Sequence, residues 1–297
     1  MNKYTIPNNF LKKLNYNLNI KNDESWPKIS IVIPSYNQPK FIEKSILSVL
    51  NQNYCNTELI IIDGGSNDKT IEKIKKYEDK IEFWVSEKDQ GQSDALNKGF
   101  AHCTGDIYGW LNSDDIYLPG TFKNIASIFS QNKDKKIIFG DWLFINVNDY
   151  IIDYHHAFNF NLNHFKYEGF HINAQSMFWR RSVHENFSGF QINLCSTMDY
   201  QMILEFGINE GERSFARIPR PFGAFRRYKE QKTAKMTVEI LNEHKLISTR
   251  YKFLDKYKLI GKIKRLYFRF RRAFWYFKRG NLANLINRLK QSYTDSN

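Results

Sequence analysis

Four short apolar runs separated by helical stripes occupy residues 29–111, and this alternation restricts the chain to a small set of folds. Residues 29–33 read as a buried strand stopped by Pro34, with further strands at 59–62, 81–85 and 107–111. Between them, residues 40–51 carry apolar side chains at 42, 46, 47, 49 and 50, the spacing of one helix face. Residues 69–77 and 94–102 read as helices too. Strands alternating with helices at this spacing imply βαβ units and a mostly parallel α/β sheet flanked by helices. The second half is less regular. Strands are expected at 137–154 and 174–180, a helix at 197–206, and an edge strand carrying Pro219 and Pro221 at 215–225. No internal repeat is present.

In an open parallel sheet, ligands bind beyond the carboxyl ends of the strands. Three polar clusters fall there: Pro34-Ser-Tyr-Asn37, the glycine-rich stretch 63–68, and Asn112-Ser-Asp-Asp115. Each alone is ordinary turn and N-cap chemistry. Three converging on one edge point to a ligand site. Asp114 and Asp115 are adjacent carboxylates that repel unless a cation or hydrogen-bond donors compensate, which makes this a natural place for Mg²⁺ or Mn²⁺. Such hard cations commonly bridge a protein carboxylate to substrate phosphates. A helix start is the competing reading, since Pro119 and a helical stripe follow, and one Asp can serve each role.

The stretches Ile31-Val-Ile-Pro-Ser-Tyr-Asn37, Ile60-Ile-Ile-Asp-Gly-Gly-Ser-Asn-Asp-Lys-Thr70, Asp89-Gln-Gly-Gln-Ser-Asp-Ala-Leu-Asn-Lys-Gly99 and Thr104-Gly-Asp-Ile-Tyr-Gly-Trp-Leu-Asn-Ser-Asp-Asp115 resemble, in order and spacing, family 2 glycosyltransferases of the GT-A fold. The resemblance runs from Ile29 to Thr233, about two-thirds of the chain. It implies transfer of a sugar from a nucleotide diphosphate donor, often UDP-linked, to an acceptor hydroxyl with inversion at the anomeric carbon. It further implies that Pro34, Tyr36 and Asp63 line the nucleoside pocket and that Gln92 and Asp94 contact the donor. Asn112, Ser113 and Asp114 fall on the family's metal motif, so Asp114 would ligate Mn²⁺ or Mg²⁺. Asp199 falls where similar sequences carry the general base, a role suited to a carboxylate. Three departures stand out. Asn112 replaces the first acid of the metal motif, and Gly64 stands where a second acid often follows Asp63. Phe225-Arg-Arg-Tyr228 replaces a motif that ends in His, which leaves Arg226, Arg227 or Lys232 as alternative diphosphate contacts. Asn112 and Tyr228 keep open a catalytically silent nucleotide-sugar binding subunit, a reading that the retention of Asp114 and Asp199 argues against. His155, His156, His164 and His171 lack paired helical spacing suited to a metal and read as surface or acceptor-site residues.

The formal charge of +13 is concentrated at the C-terminal end. Residues 251–290 hold thirteen Lys and Arg against Asp255 alone, interleaved with aromatic and aliphatic side chains. Three readings compete for this stretch: a helix on an anionic membrane surface, a helical hairpin packed on the catalytic domain, and a nucleic-acid binding stripe. The family resemblance favours the membrane, with a saccharide or lipid-linked acceptor in bacterial surface polysaccharide synthesis and no nucleic-acid partner. The expected organisation is a lead-in at 1–26, a GT-A domain at 27–235 and a basic helical extension at 236–297. Cys55, Cys103 and Cys195 are few and widely spaced, so free thiols in a reducing compartment are expected. The first 16 residues lack the apolar core of a signal peptide, and no run approaches the length of a membrane span. The expected location is therefore cytoplasmic, peripheral on the inner face of the membrane.

Overall fold

The computed structural model describes residues 25–169, 172–231 and 237–278. His171, Lys232, Thr233, the lead-in before residue 25 and the bases from Arg279 onward lie outside the described residues. In the first half, β1 (Ile29–Ser35), α1 (Ile42–Leu50), β2 (Thr57–Asp63), α2 (Thr70–Lys75), β3 (Phe83–Ser86), α3 (Gln92–Ala101) and β4 (Ile107–Trp110) alternate as expected. There follow β5 (Ile116–Tyr117), α4 (Thr121–Gln131), β6 (Ile137–Ile145), β7 (Ile151–His155), α5 (Leu162–Glu168), β8 (Met177–Arg180) and α6 (Arg181–Glu185). The described chain closes with α7 (Met198–Glu210), β9 (Phe215–Arg226), α8 (Thr237–Arg250) and α9 (Leu259–Lys278).

The strands form one sheet in the order β3-β2-β1-β4-β8-β6-β9-β5, with β7 paired to β6. Parallel ladders join β3, β2, β1 and β4, and also β6 and β9; β8, β7 and β5 pair antiparallel. Strand β1 is flanked by β2 and β4, so the connections depart to opposite sides of it. That reversal opens a crevice at the carboxyl ends of β1 and β4, the usual ligand position in such sheets.

Strands β1, β2 and β4 are buried on both faces, as parallel sheets require, while the edge strand β3 is half-buried. Val32, Ile60 and Ile62 pack with Leu96 and Phe100 of α3 and with residues of α7. The alternate residues Ile31, Ile33, Leu59 and Ile61 pack with Ile42 and Ile46 of α1 and Phe122 and Phe129 of α4. Each fully buried side chain of this size contributes about 1.5–3 kcal/mol. Gly99 lets α3 approach the sheet, because a Cβ there would lie 2.4 Å from Val32 Cγ1.

Four expectations are corrected. Pro34 does not stop its strand: β1 continues to Ser35, and pairing with β4 has already ended at Val32 opposite Trp110. The missing donor therefore breaks no ladder on that side. Residues 137–154 form two strands rather than one. Asn146 Oδ1 accepts from the N–H groups of Asn148 and Tyr150 (2.9 and 3.1 Å), and Asp149 adopts a φ of 67°, which reverses the chain. Residues 174–180 begin with a 3-10 turn, Ala174–Ser176, before β8. Strand β9 is not an edge along its whole length, since β6 flanks it on one side and β5 covers Gly223 and Ala224 on the other. Pro219 and Pro221 lie where its register with β6 slips, a position that tolerates a lost donor.

The basic extension packs on this body. Ile247 and Phe253 join the same apolar core as α7, and Phe268 of α9 stacks on His164 at 5.2 Å. Tyr276 Oη donates to the His156 carbonyl (2.8 Å), and Arg272 pairs with Glu168. His164 is thus not a surface residue; it is buried against Glu168 and Phe158. No helix among the described residues is long and apolar enough to cross a membrane. All three cysteines are free, Cys103 in the core and the other two exposed.

Candidate active site

The carboxyl ends of β1, β2, β3, β4 and β9 are tied into a hydrogen-bonded rim. Ser35 O accepts from Gly64 N (2.8 Å), joining the ends of β1 and β2. Asp63, wholly buried, accepts from Ser66 N and Ser66 Oγ (2.8 and 2.6 Å) and from Ser86 Oγ at the end of β3 (2.7 Å). Ser66 Oγ in turn accepts from Asn37 N, which fixes the Pro34–Asn37 loop against the 63–68 loop. Pro34 is buried in the strand end, whereas Tyr36 is 61% exposed at the lip. Asp63 therefore organises the pocket wall, and Tyr36 is the member of this group whose ring is presented to solvent.

Asp89, which lies within the 89–99 motif, also reaches this rim. A Cβ on residue 64 would lie 2.7 Å from Asp89 Oδ2, so the carboxylate of Asp89 occupies the space an acid at 64 would need. Burial raises its pKa, against the lowering effect of Gly91 N–H, which donates to Oδ1 (2.8 Å). The absence of an acid at 64 was the available signal, since a Gly there leaves room for one from elsewhere. Asp94, in contrast, is engaged at the start of its helix. It accepts from Gln90 N (3.1 Å), just before the N-cap Gly91, and lies 3.5 Å from Lys98 Nζ.

At the end of β4, Asn112 Oδ1 accepts from both Gln92 Nε2 (2.8 Å) and Trp110 Nε1 (2.9 Å). An indole N–H can only donate, so it fixes the orientation of the amide. Asn112 Nδ2 then donates to Asp115 Oδ2 (3.1 Å). An amide is the side chain that satisfies this set, because an acid at 112 would face a buried carboxylate with no proton to give. Asn112→Asp is accordingly expected to destabilise the fold by about 1–3 kcal/mol, read as a lowered melting temperature at neutral pH. Gln92 and Asn112 thus meet directly, with Asn112 Oδ1 already holding two donors. Ser113 lies between Asn112 and Asp114 and is buried.

Asp115 is fully buried and accepts from Arg226 N (2.8 Å) as well as Asn112. Asp114 is the outer carboxylate of the pair. Its Oδ2 accepts from the Tyr228 hydroxyl (2.8 Å), and its backbone oxygen accepts from Arg226 Nε (2.8 Å). Burial raises the pKa of both carboxyls, and for Asp115 the neighbouring Asp114 adds to the rise. Tyr228, standing where the family pattern ends in His, also receives Gln38 Nε2 (3.1 Å), which closes the rim back to the loop after β1. Arg226 is not a diphosphate contact. Its guanidinium is wholly buried between Asn146 O (2.8 Å), Asp149 (2.6 Å) and the Phe41 ring (4.5 Å). Arg227 lies over the ring of Phe144 at 3.5 Å.

No cluster of three or more His, Cys, Asp or Glu able to hold a metal occurs among the described residues. The donor set at Asp114 nevertheless fits Mn²⁺ or Mg²⁺ held jointly with a ligand. Such ions take one or two carboxylates and draw their remaining ligands from phosphates and water. The Tyr228 hydroxyl occupies Asp114 Oδ2.

Asp199 lies in the first turn of α7. The preceding loop is tied to α3: Ser93 Oγ donates to Leu194 O (2.8 Å) and Asn97 Nδ2 to Phe190 O (2.8 Å). The helix that presents Gln92 to the rim therefore also anchors the approach to Asp199. Burial pushes the Asp199 carboxyl up to about 7, partly opposed by Tyr200 N–H donating to Oδ1 (2.8 Å). A carboxyl near 7 can exchange a proton with a hydroxyl group at neutral pH.

A family model described as Glycosyl transferase family 2 matches residues 30–187, just over half of the chain. An uncharacterized glycosyltransferase of Rickettsia typhi is 34% identical over 119 residues, covering 40% of this chain and 37% of its own length. An uncharacterized glycosyltransferase of Haemophilus influenzae is 38% identical over 111 residues, covering 36% and 44%. The chain thus spans less than half the length of these curated relatives. Among solved structures, S. aureus TarS 1–349 in complex with UDP-GlcNAc superposes with a TM-score of 0.59 at 16% identity, over 81% of this chain and 79% of that one. The mannosyltransferase PcManGT from Pyrobaculum calidifontis, in complex with GDP-Man and Mn²⁺, gives 0.57 at 14% identity, over 96% and 86%.

Proposed function

The chain belongs to glycosyl transferase family 2, and on that premise we propose that it is an inverting enzyme. It would move a sugar, hexosyl or N-acetylhexosaminyl in type, from a nucleotide diphosphate, most simply UDP, to a hydroxyl of a saccharide or lipid-linked acceptor. The observation that carries this reading is the rim itself: Asp63, Asp89, Gln92 and Asp114 are organised at the topological switch point, with Asp199 anchored to the same helix α3. Asp114 would hold Mn²⁺ or Mg²⁺, which when bound offsets negative charge on the diphosphate. Tyr36 and the Asp63 wall would receive the nucleoside. Asp199 accepts the proton of the acceptor hydroxyl while its oxygen bonds to the anomeric carbon. The bond from that carbon to the phosphate oxygen breaks on the opposite face, and its electron pair leaves with the nucleoside diphosphate. Assembly of a bacterial surface polysaccharide is the setting that suits such an acceptor. A silent nucleotide-sugar binding subunit predicts binding without turnover, so nucleoside diphosphate release separates the two readings.

Helix α9 supports a location at the inner face of a cell membrane. One face of the helix packs inward through Phe268, Trp275 and Tyr276. The opposite face carries Leu259, Ile263, Leu266, Phe270, Phe274 and Phe277, all at helical spacing and about half to three-quarters exposed. At 100° per residue, Lys262 and Arg269 flank this stripe on one side and Arg271 and Lys278 on the other. Helix α9 contains no acid, so a second copy would meet it with like charge, whereas an anionic bilayer complements both the stripe and its flanks. Each base near such a surface contributes up to about 1 kcal/mol. The intact protein should sediment with phosphatidylglycerol vesicles, release only in part at high salt, and bind neutral phosphatidylcholine vesicles poorly. Leu266→Glu with Phe270→Glu should abolish sedimentation without lowering the melting temperature, because neither side chain is packed. Equal binding by the double variant, or vesicle-independent dimers of the parent, would remove the membrane assignment and leave the transferase reading intact.

A further inference from the structure

We propose that Glu243, on α8, is a positioning residue that sets both the place and the basicity of Asp199; the assignment rests on Asp199 being the base. Helix α7 begins without a side-chain cap of its own, although Thr197 occupies the N-cap. The backbone donors leading into it are taken by a carboxylate from 46 residues further along the chain. Glu243 Oε1 accepts from Cys195 N (2.6 Å), while Oε2 accepts from Ser196 N (3.0 Å), Thr197 N (2.9 Å) and Thr197 Oγ1 (2.8 Å). Three successive N–H groups on one buried carboxylate fix the loop, and with it the first turn of the helix that carries Asp199 two residues on. The charge also complements the positive end of α7.

The same charge acts on Asp199. It adds a smaller push in the same direction as the desolvation that raises the carboxyl toward 7. The other ionisable groups around this helix end are His244 of α8, whose ring lies 4.7 Å from that of Tyr200, and Lys256, whose Nζ lies 5.5 Å from it, with Arg265 beyond. Burial holds His244 down to about 4 and lowers Lys256 to about 8, so neither changes charge between pH 5 and 7. Within that window the charges of Lys256 and Arg265 stay constant, and the ionised neighbour that acts on Asp199 is Glu243.

The test reads the Asp199 carboxyl directly, in full-length protein labelled with ¹³C-aspartate, with Asp199→Asn identifying the resonance. In Glu243→Gln the titration midpoint should fall from near 7 by roughly half a pH unit or more, since a negative neighbour has been removed. Glu243→Asp, which keeps the charge, should restore it. In a transfer assay with UDP-N-acetylglucosamine or another UDP-sugar that the protein turns over, Glu243→Gln should lower kcat about tenfold at unchanged donor KM. A midpoint that does not move overturns the proposal, and so does a loss of rate with an unmoved midpoint, which would reduce Glu243 to a cap. Full rate in Asp199→Asn overturns the reading of Asp199 itself. That failure is distinguishable, because the titration needs no substrate.

Discussion

Asp114→Asn is expected to reduce glycosyl transfer roughly a thousandfold or more and to weaken donor binding, while the protein stays folded. The fold should survive because the amide oxygen can still accept the Tyr228 hydroxyl, and Arg226 bonds the backbone of residue 114 rather than its side chain. What disappears is the negative charge that would hold the cation. Burial already disfavours that charge, so it is retained at a cost to stability, as expected of a group kept for ligand binding. Donor turnover and melting temperature, measured on the same preparation, check the point. Near-normal turnover by a folded Asp114→Asn protein would remove Asp114 from the site.

Asp199→Asn should lower kcat by about two to four orders of magnitude, the range for loss of a general base, with donor affinity little changed. The sign of the pH dependence follows from its raised carboxyl. Asp199 serves as a base only when deprotonated, so the parent rate should rise with pH through about 7 and level off above it. In Asp199→Asn the residual rate should lose that rise. Collapse of donor binding with the chemistry spared would instead make Asp199 a binding or structural residue.

The sequence singles out both carboxylates as candidates, one from its place after an apolar strand and one from the family pattern. The parallel half of the sheet was legible, because strands buried on both faces are written as unbroken apolar runs and their helices as stripes. What could not be read was set, apart from one local turn, by contacts between distant segments. The hairpin at 146–149 was hidden because Asn146-Val-Asn-Asp149 interrupts two apolar runs only briefly, and the decisive side-chain bonds of Asn146 reach just two and four residues on. Pro34 looked like a strand stop because its tolerance depends on where β4 ends, a fact of pairing rather than of local sequence. Arg226 looked like a free cation, yet it is buried by Asp149, Phe41 and the carbonyl of Asn146. The role of Asn112 followed from Trp110 and Gln92 meeting it on one oxygen, and that of Glu243 from a helix assigned to a separate extension. Tyr228 departs from the expected His and still reaches Asp114, so the position keeps its link to the site with different chemistry.

The most direct measurement is nucleoside diphosphate release from a panel of UDP- and GDP-sugars, with and without Mn²⁺, beside melting temperatures for the same mixtures. A bound donor at a hundredfold excess over its Kd stabilises the fold by about 2.7 kcal/mol, enough to register as a shift. The expected result is that at least one donor raises the melting temperature and is turned over in a Mn²⁺-dependent manner, and that both effects are lost in Asp114→Asn. Stabilisation by a nucleotide-sugar with no turnover of any donor or acceptor tested, or no response to any of them, would contradict the assignment as a transferase.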